Sequence, residues 1–195
     1  MHEFSQRLKD FKKMPVKAGR IAAFQFVRDI AYGDIGSRDP YDVLNKKKGT
    51  CSGKHALLKL FLEGLGYEVQ TYFAKHDFGK FPIRPWPEEL ADFKEKILTD
   101  YHDFLKVKIG ENRVTVDAIF DADTEKFGFP VADWDGESDM SLPVQADEIF
   151  PAEGDPEEHK KRLIAALSER IQKDRKAFLS ALTVMLDKKR KDLIH

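Results

Sequence analysis

Two runs, 101–109 and 113–120, alternate apolar with polar residues around Gly110-Glu111-Asn112. That pattern predicts two antiparallel strands closed by a short turn. A hairpin cannot bury its apolar face unaided, so the flanking chain must supply a covering layer. Helical spacing occurs on both sides. Upstream, Ile21, Phe24, Val27 and, less regularly, Ile30 fall on one face of a helix over 20–32, which Gly33–Ser37 ends. Asp39-Pro40 starts a short helix carrying Tyr41, Val43 and Leu44. From Cys51 onward, Ala56, Leu57, Leu60 and Phe61 keep helical intervals, and Gly64 and Gly66 offer a C-terminal cap. A strand follows over 67–73. Pro82, Pro85 and Pro87 predict a loop, then a short helix over 88–98 turns Leu90, Phe93 and Ile97 inward. Residues 121–154 carry turn signals such as Trp134-Asp135-Gly136 and little else. Asp155-Pro156-Glu157-Glu158 then opens a long helix, whose apolar stripe includes Leu163, Ile164, Leu167, Ile171, Phe178, Leu182 and Met185, up to Lys188. The sum is an α+β domain with a small antiparallel sheet between early and late helices.

Composition narrows the function classes. The chain has 195 residues, the length of one domain, so residues 1–195 are expected to form a single unit. Its 33 basic and 34 acidic residues nearly cancel, which argues against a nucleic-acid binder and for solvated surfaces over Lys46-Lys47-Lys48 and Lys188-Lys189-Arg190-Lys191. With one cysteine there is no intrachain disulfide and no multi-cysteine zinc site. Cys51 and His55 lie four apart on one helix, but no second pair with comparable spacing completes a metal site. The opening residues lack the apolar core of a signal peptide, and no run approaches the roughly 18 apolar residues of a membrane span. A cytoplasmic protein without metal or cofactor is expected. The long last helix offers a protruding end for self-association.

Three residues stand out chemically. A lone cysteine is ordinarily a small buried apolar residue. Cys51, however, starts an amphipathic helix, where unpaired N–H groups and the dipole stabilise a thiolate, with Lys54 and His55 adding positive potential. His102 opens the first hairpin strand, so the sheet fixes its direction. Asp117 sits in the apolar run Val114-Thr115-Val116-Asp117-Ala118-Ile119, where an acid is costly without a partner, and an imidazole is the natural one.

These segments together resemble the transglutaminase-like family of papain-like thiol enzymes. Gly49-Thr50-Cys51, running through its helix into Gly66-Tyr67-Glu68-Val69, is similar to that family's nucleophile helix and following strand. Tyr101-His102-Asp103-Phe104 and Val116-Asp117 are similar to its histidine and aspartate strands. Phe104 stands where the family often has Trp, and Ala118 where it often has Pro. The resemblance covers 20–121, leaving 1–19 as an N-terminal segment and 122–195 as an extension with the long helix. It implies a papain/transglutaminase-like core with Cys51 as nucleophile, His102 as general acid/base and Asp117 as orienting carboxylate. The activity implied is acyl transfer or hydrolysis at a peptide or amide bond, with water or an amine resolving the thioester. The family also contains inactive members, so a binding or scaffold module is the alternative. Arylamine acetyltransferases share the order Cys, His, Asp, but this chain lacks their Arg-Gly-Gly before the cysteine.

Two assignments stay open. The Cys51 N–H supplies one oxyanion donor, with Gln25 or Tyr32 as candidates for the second. A tight turn at 110–112 sets Asp117 opposite Leu105 or Lys106, and Asp121 nearly across from His102. The family pattern selects Asp117, and hairpin geometry favours Asp121. Residues 74–86, including Trp86, are the expected cleft wall.

Overall fold

The computed structural model describes residues 2–81, 83 and 86–193. Pro82 and Pro85 of the expected loop lie outside the described residues. In chain order the elements are α1 (His2–Lys12), α2 (Val16–Arg28), β1 (Ala31–Tyr32), α3 (Pro40–Lys46), β2 (Lys48–Gly49), α4 (Cys51–Gly64), β3 (Val69–Asp77), β4 (Thr99–Ile109), β5 (Asn112–Val116), α5 (Ala122–Glu125), β6 (Ala146–Pro151), α6 (Pro156–Ala165) and α7 (Glu169–Asp192). Four strands form an antiparallel sheet in the order β5-β4-β3-β6, and β1 pairs with β2 in a separate parallel ribbon. The class is α+β.

Helices cover both faces of the sheet. One core joins the early helices, through Phe24, Val27, Leu44, Leu57 and Phe61, to Leu105, Val107 and Val116 of the hairpin. The other joins Phe178, Leu182 and Met185 of α7 to Ala74 and Phe104. The alternation of Phe104 against Leu105 sends neighbouring side chains to opposite cores. Residues 100–105 of β4 are therefore all buried, polar ones included.

Several boundaries differ from expectation. The helix predicted over 20–32 begins at Val16 and stops at Arg28, because Ala31 and Tyr32 leave it to pair with Lys48 and Gly49. The segment after Pro87 forms a single 3-10 stretch, Glu88–Phe93, with Leu90 buried but Ile97 65% exposed rather than inward. Strand β6 lies on the β3 edge and is mostly exposed, so it carries no apolar alternation to read. The last helix is two: α6 begins as expected with Asp155 capping Glu158 N–H at 2.9 Å, but the chain breaks at Leu167 and restarts with Ser168 capping α7. Its far end is docked rather than protruding, since Arg190 bonds Asp121 and the Tyr32 carbonyl. No helix among the described residues is long and apolar enough to cross a membrane.

Lys54 ties the early helices to the hairpin. Fully buried on α4, its ammonium donates to the carbonyls of Arg28 (2.9 Å), Ile30 (2.7 Å) and Ile119 (2.6 Å). The three donors of an ammonium match the three acceptors, which belong to the end of α2, the approach to β1 and the chain after β5. Lys54→Met keeps the volume but strands those carbonyls. Urea unfolding is expected to show a loss of about 3 kcal/mol, and a loss under about 0.5 kcal/mol would mean that the ammonium holds nothing together.

Candidate functional site

Cys51 occupies the first position of α4, and close packing explains its surroundings. A Cβ on Gly49 would meet Val43 at 2.8 Å, and one on Gly53 would meet it at 2.7 Å, so α3 can press against the start of α4 only where glycines flank the cysteine. Thr50 precedes the helix without capping it, and its buried hydroxyl oxygen makes no hydrogen bond. The first-turn N–H groups therefore have no side-chain acceptor from Thr50, and the helix dipole acts on the thiol. His55 plays a different part from the expected source of positive potential. Its Nδ1 donates to the Cys51 carbonyl at 2.9 Å, while Nε2 accepts from Ala118 N–H at 3.0 Å. The ring thus bridges the first turn of α4 to the chain leaving β5.

The hairpin turn places Asp117, and not Asp121, beside His102. Only Gly110 and Glu111 lie between the paired residues Ile109 and Asn112, and Leu105 pairs with Val116. The register is one residue shorter than the sequence suggested, and the chain leaves the ladder after Val116. Asp117 then turns its Oδ2 to His102 Nε2 at 2.5 Å, and its Oδ1 accepts from Ile119 N–H at 3.1 Å. Asp121 faces elsewhere, accepting from Tyr32 N–H at 2.7 Å and from Arg190 at 2.6 Å. His102, bound to Asp117 through Nε2, also interacts with the Cys51 thiol. The structure brings Cys51, His102 and Asp117 together, all buried.

A second ion pair meets the thiol, and sequence reasoning missed it. Lys160 Nζ from α6 lies 3.6 Å from Cys51 Sγ and 3.0 Å from Ser52 Oγ, and it forms an ion pair with Asp103. Asp103 Oδ1 is itself 3.6 Å from the sulfur and 2.9 Å from Ser52 Oγ. One further buried acid of β4, Asp100, pairs with Arg175 of α7 at 2.7 Å. The acids at 100 and 103, within a run of buried strand residues, were the available signal that partners must exist. Nothing in the sequence says that the partners are Lys160 and Arg175.

Charge decides the protonation states. Burial disfavours the imidazolium of His102, but the Asp117 carboxylate and the bond to Cys51 prevail and raise its pKa to about 10. Burial also opposes ionisation of Asp117, and His102 outweighs it, holding the carboxyl well below its usual range. At Cys51, burial pushes the thiol up and Asp103 adds to this, while Lys160 and His102 together bring it below the ordinary value. The arrangement favours a thiolate–imidazolium pair.

The thiol opens onto a cavity of about 460 Å³ lined by Tyr32, Arg38, Ser52, Lys160, Arg175 and Leu179 among others. A neighbouring cavity of about 290 Å³ shares Arg38, Ser52 and Glu157 and continues past His55 and Asp103. The walls are thus the 36–39 loop and helices α6 and α7, and none of the described residues of 74–86 lines either cavity. Trp86 instead donates to the Leu90 carbonyl at 2.7 Å and stacks on Phe178. Of the two oxyanion candidates, Gln25 is exposed on α2 and lines neither cavity, whereas Tyr32 lies buried beside Cys51, its phenol pushed well above the ordinary pKa by burial and by Cys51. Among the described residues no group of three histidine, cysteine or acidic side chains is placed to hold a metal.

No protein-family model matches the chain, and no curated protein does. Among solved structures it is similar to the crystal structure of a "putative cysteine protease" from Cytophaga hutchinsonii, with 17% identity and a TM-score of 0.42. The match covers 59% of this chain and 36% of that one, so this chain spans little more than a third of that protein's length.

The His102–Asp117 pair makes stability depend on pH in a fixed direction. The raised imidazole contributes fully below its ordinary value of 6.5 and loses its contribution as pH climbs through about 10. The depressed carboxyl contributes above 3.8 and loses its contribution as pH falls below that. Wild type should exceed Asp117→Asn by about 3–5 kcal/mol in urea unfolding between those two ordinary values, with the gap closing towards pH 10 and towards acid. A gap that failed to close both towards pH 10 and towards acid would show that the pair is not ionised.

Proposed function

We propose that this chain is an enzyme of thiol-dependent acyl chemistry, with a papain- or transglutaminase-like core over 20–121, acting on an amide or peptide bond. One observation carries the reading: the His102 ring stands between the Asp117 carboxylate and the Cys51 thiol at an uncapped helix start. A cavity at Cys51 and a second that shares Arg38, Ser52 and Glu157 with it leave room for more than one residue of a substrate, which favours an extended peptide.

In this reading the Cys51 thiolate attacks the carbonyl carbon and the C–O π pair moves onto oxygen. The Cys51 N–H and the Tyr32 hydroxyl face that oxyanion as donors. As the tetrahedral intermediate collapses, the His102 imidazolium gives its proton to the departing nitrogen, and a thioester remains on Sγ. Water, or an acceptor amine, then loses a proton to His102 and attacks the thioester carbon. The C–S bond breaks, the electron pair returns to sulfur, and the thiolate–imidazolium pair is restored. Asp117 keeps the ring oriented with Nε2–H towards itself throughout.

The test is the rate of Cys51 alkylation by iodoacetamide between pH 4 and 10, read by intact mass for wild type and His102→Ala. A wild-type inflection well below about 8.5 that moves upward in the variant supports the reading. Turnover found on a quenched-fluorescent peptide library should fall by about 10²–10⁴-fold in His102→Ala while the fold is kept. An ordinary inflection in both proteins would falsify the enzymatic reading and leave a binding or scaffold module.

A further inference from the structure

Cysteine–histidine chemistry needs one cation beside the sulfur, and His102 provides it. The structure holds a second. Lys160 Nζ, 93% shielded from solvent at the residue level, touches the sulfur at 3.6 Å, and three observations show that this contact is built rather than incidental. First, the ammonium is fixed by two further partners, Ser52 Oγ at 3.0 Å and the Asp103 carboxylate. Second, Asp103 lies on β4 directly after His102, so the strand that positions the base also positions the anchor for the lysine. Third, α6 is started by the Asp155 cap and Pro156 five and four residues earlier, which sets the phase of Lys160 before it meets the site.

We propose that Lys160 is the second cation of the thiol site, locked by Asp103 against Cys51 so that the sulfur is held as a nucleophile and as a leaving group. This rests on the reading of Cys51 as nucleophile. The separate role of Lys160 follows from the proton cycle. The charge on His102 comes and goes with its proton, whereas Lys160 keeps a cation beside the sulfur at every stage. During deacylation water passes its proton to His102 as it attacks, and when the C–S bond then breaks the electron pair returns to Sγ. A permanent ammonium 3.6 Å away adds to the imidazolium in stabilising that sulfur anion. A carboxylate as near as Asp103 would act against it if unpaired, so the lysine also neutralises an anion that the strand places there.

Opposite signs separate this role from simple packing. With iodoacetamide as probe, the alkylation inflection of Lys160→Met should rise by about 1–3 pH units relative to wild type. That of Asp103→Asn should fall, because the lysine then faces the sulfur with no competing anion. Lys160→Arg keeps the charge and should restore most of the shift. Melting temperature is followed for each variant. Loss of a packing contact alone would leave the two inflections together or move both the same way. A folded Lys160→Met that titrates like wild type, or an Asp103→Asn that moves upward or stays in place, overturns the proposal. If Lys160→Met does not fold, Asp103→Asn decides alone on the same criterion. Should the wild-type inflection itself lie near about 8.5, the reading of Cys51 as nucleophile fails first, and the Lys160 proposal falls with it; a lowered wild-type inflection with unmoved variants removes only the second.

Discussion

Strand β4 is covered on both faces, and that constraint shapes the rest of the molecule. Asp100, His102 and Asp103 lie within a buried stretch, so each ionisable group needs a partner brought from elsewhere in the chain. Asp117 comes from the far end of the hairpin, Lys160 from α6 and Arg175 from α7. Pairing these groups recruits the C-terminal helices to the site. The same helices then form the cavity walls, so the cost of burying charge and the shape of the cleft have one origin.

Local cues explain which parts of this arrangement could be read in the sequence. The start of α4 at Cys51, the hairpin and the Asp155 cap each rest on short-range patterns: amphipathic spacing, alternation about a glycine turn, and a cap–proline–acid run. The break at Leu167–Ser168 was hidden because the apolar stripe continues through it, although Ser168 is a good cap. The edge strand β6 was hidden because an exposed strand has no inner face to reveal it.

The candidate site shows the same division. The residues 51, 102 and 117 attracted attention because each is out of place in its own segment: a thiol at a helix start, an imidazole at a strand start, an acid among valines. Choosing between Asp117 and Asp121 depended on a single residue in the turn, which strand alternation does not report. Lys160 could not be found, since a lysine in His-Lys-Lys-Arg on a polar helix looks like every other exposed lysine. Its partners are 57, 108 and 109 residues away at Asp103, Ser52 and Cys51, and contacts of that span leave no local mark.

That span has a consequence for the order in which the molecule becomes chemically competent. Contacts within the hairpin form at short loop lengths, whereas the α6 contacts close loops of 57 residues to Asp103 and 109 to Cys51 and are entropically the later ones. An unfinished chain, with hairpin and α4 in place but α6 undocked, holds its sulfur beside Asp103 without the neutralising ammonium. The bare anion favours the protonated thiol. On the proposed reading of Cys51 as nucleophile, docking of the last helices then acts as a built-in safety catch, completing the charge balance at the sulfur only when the cavity beside it has also closed.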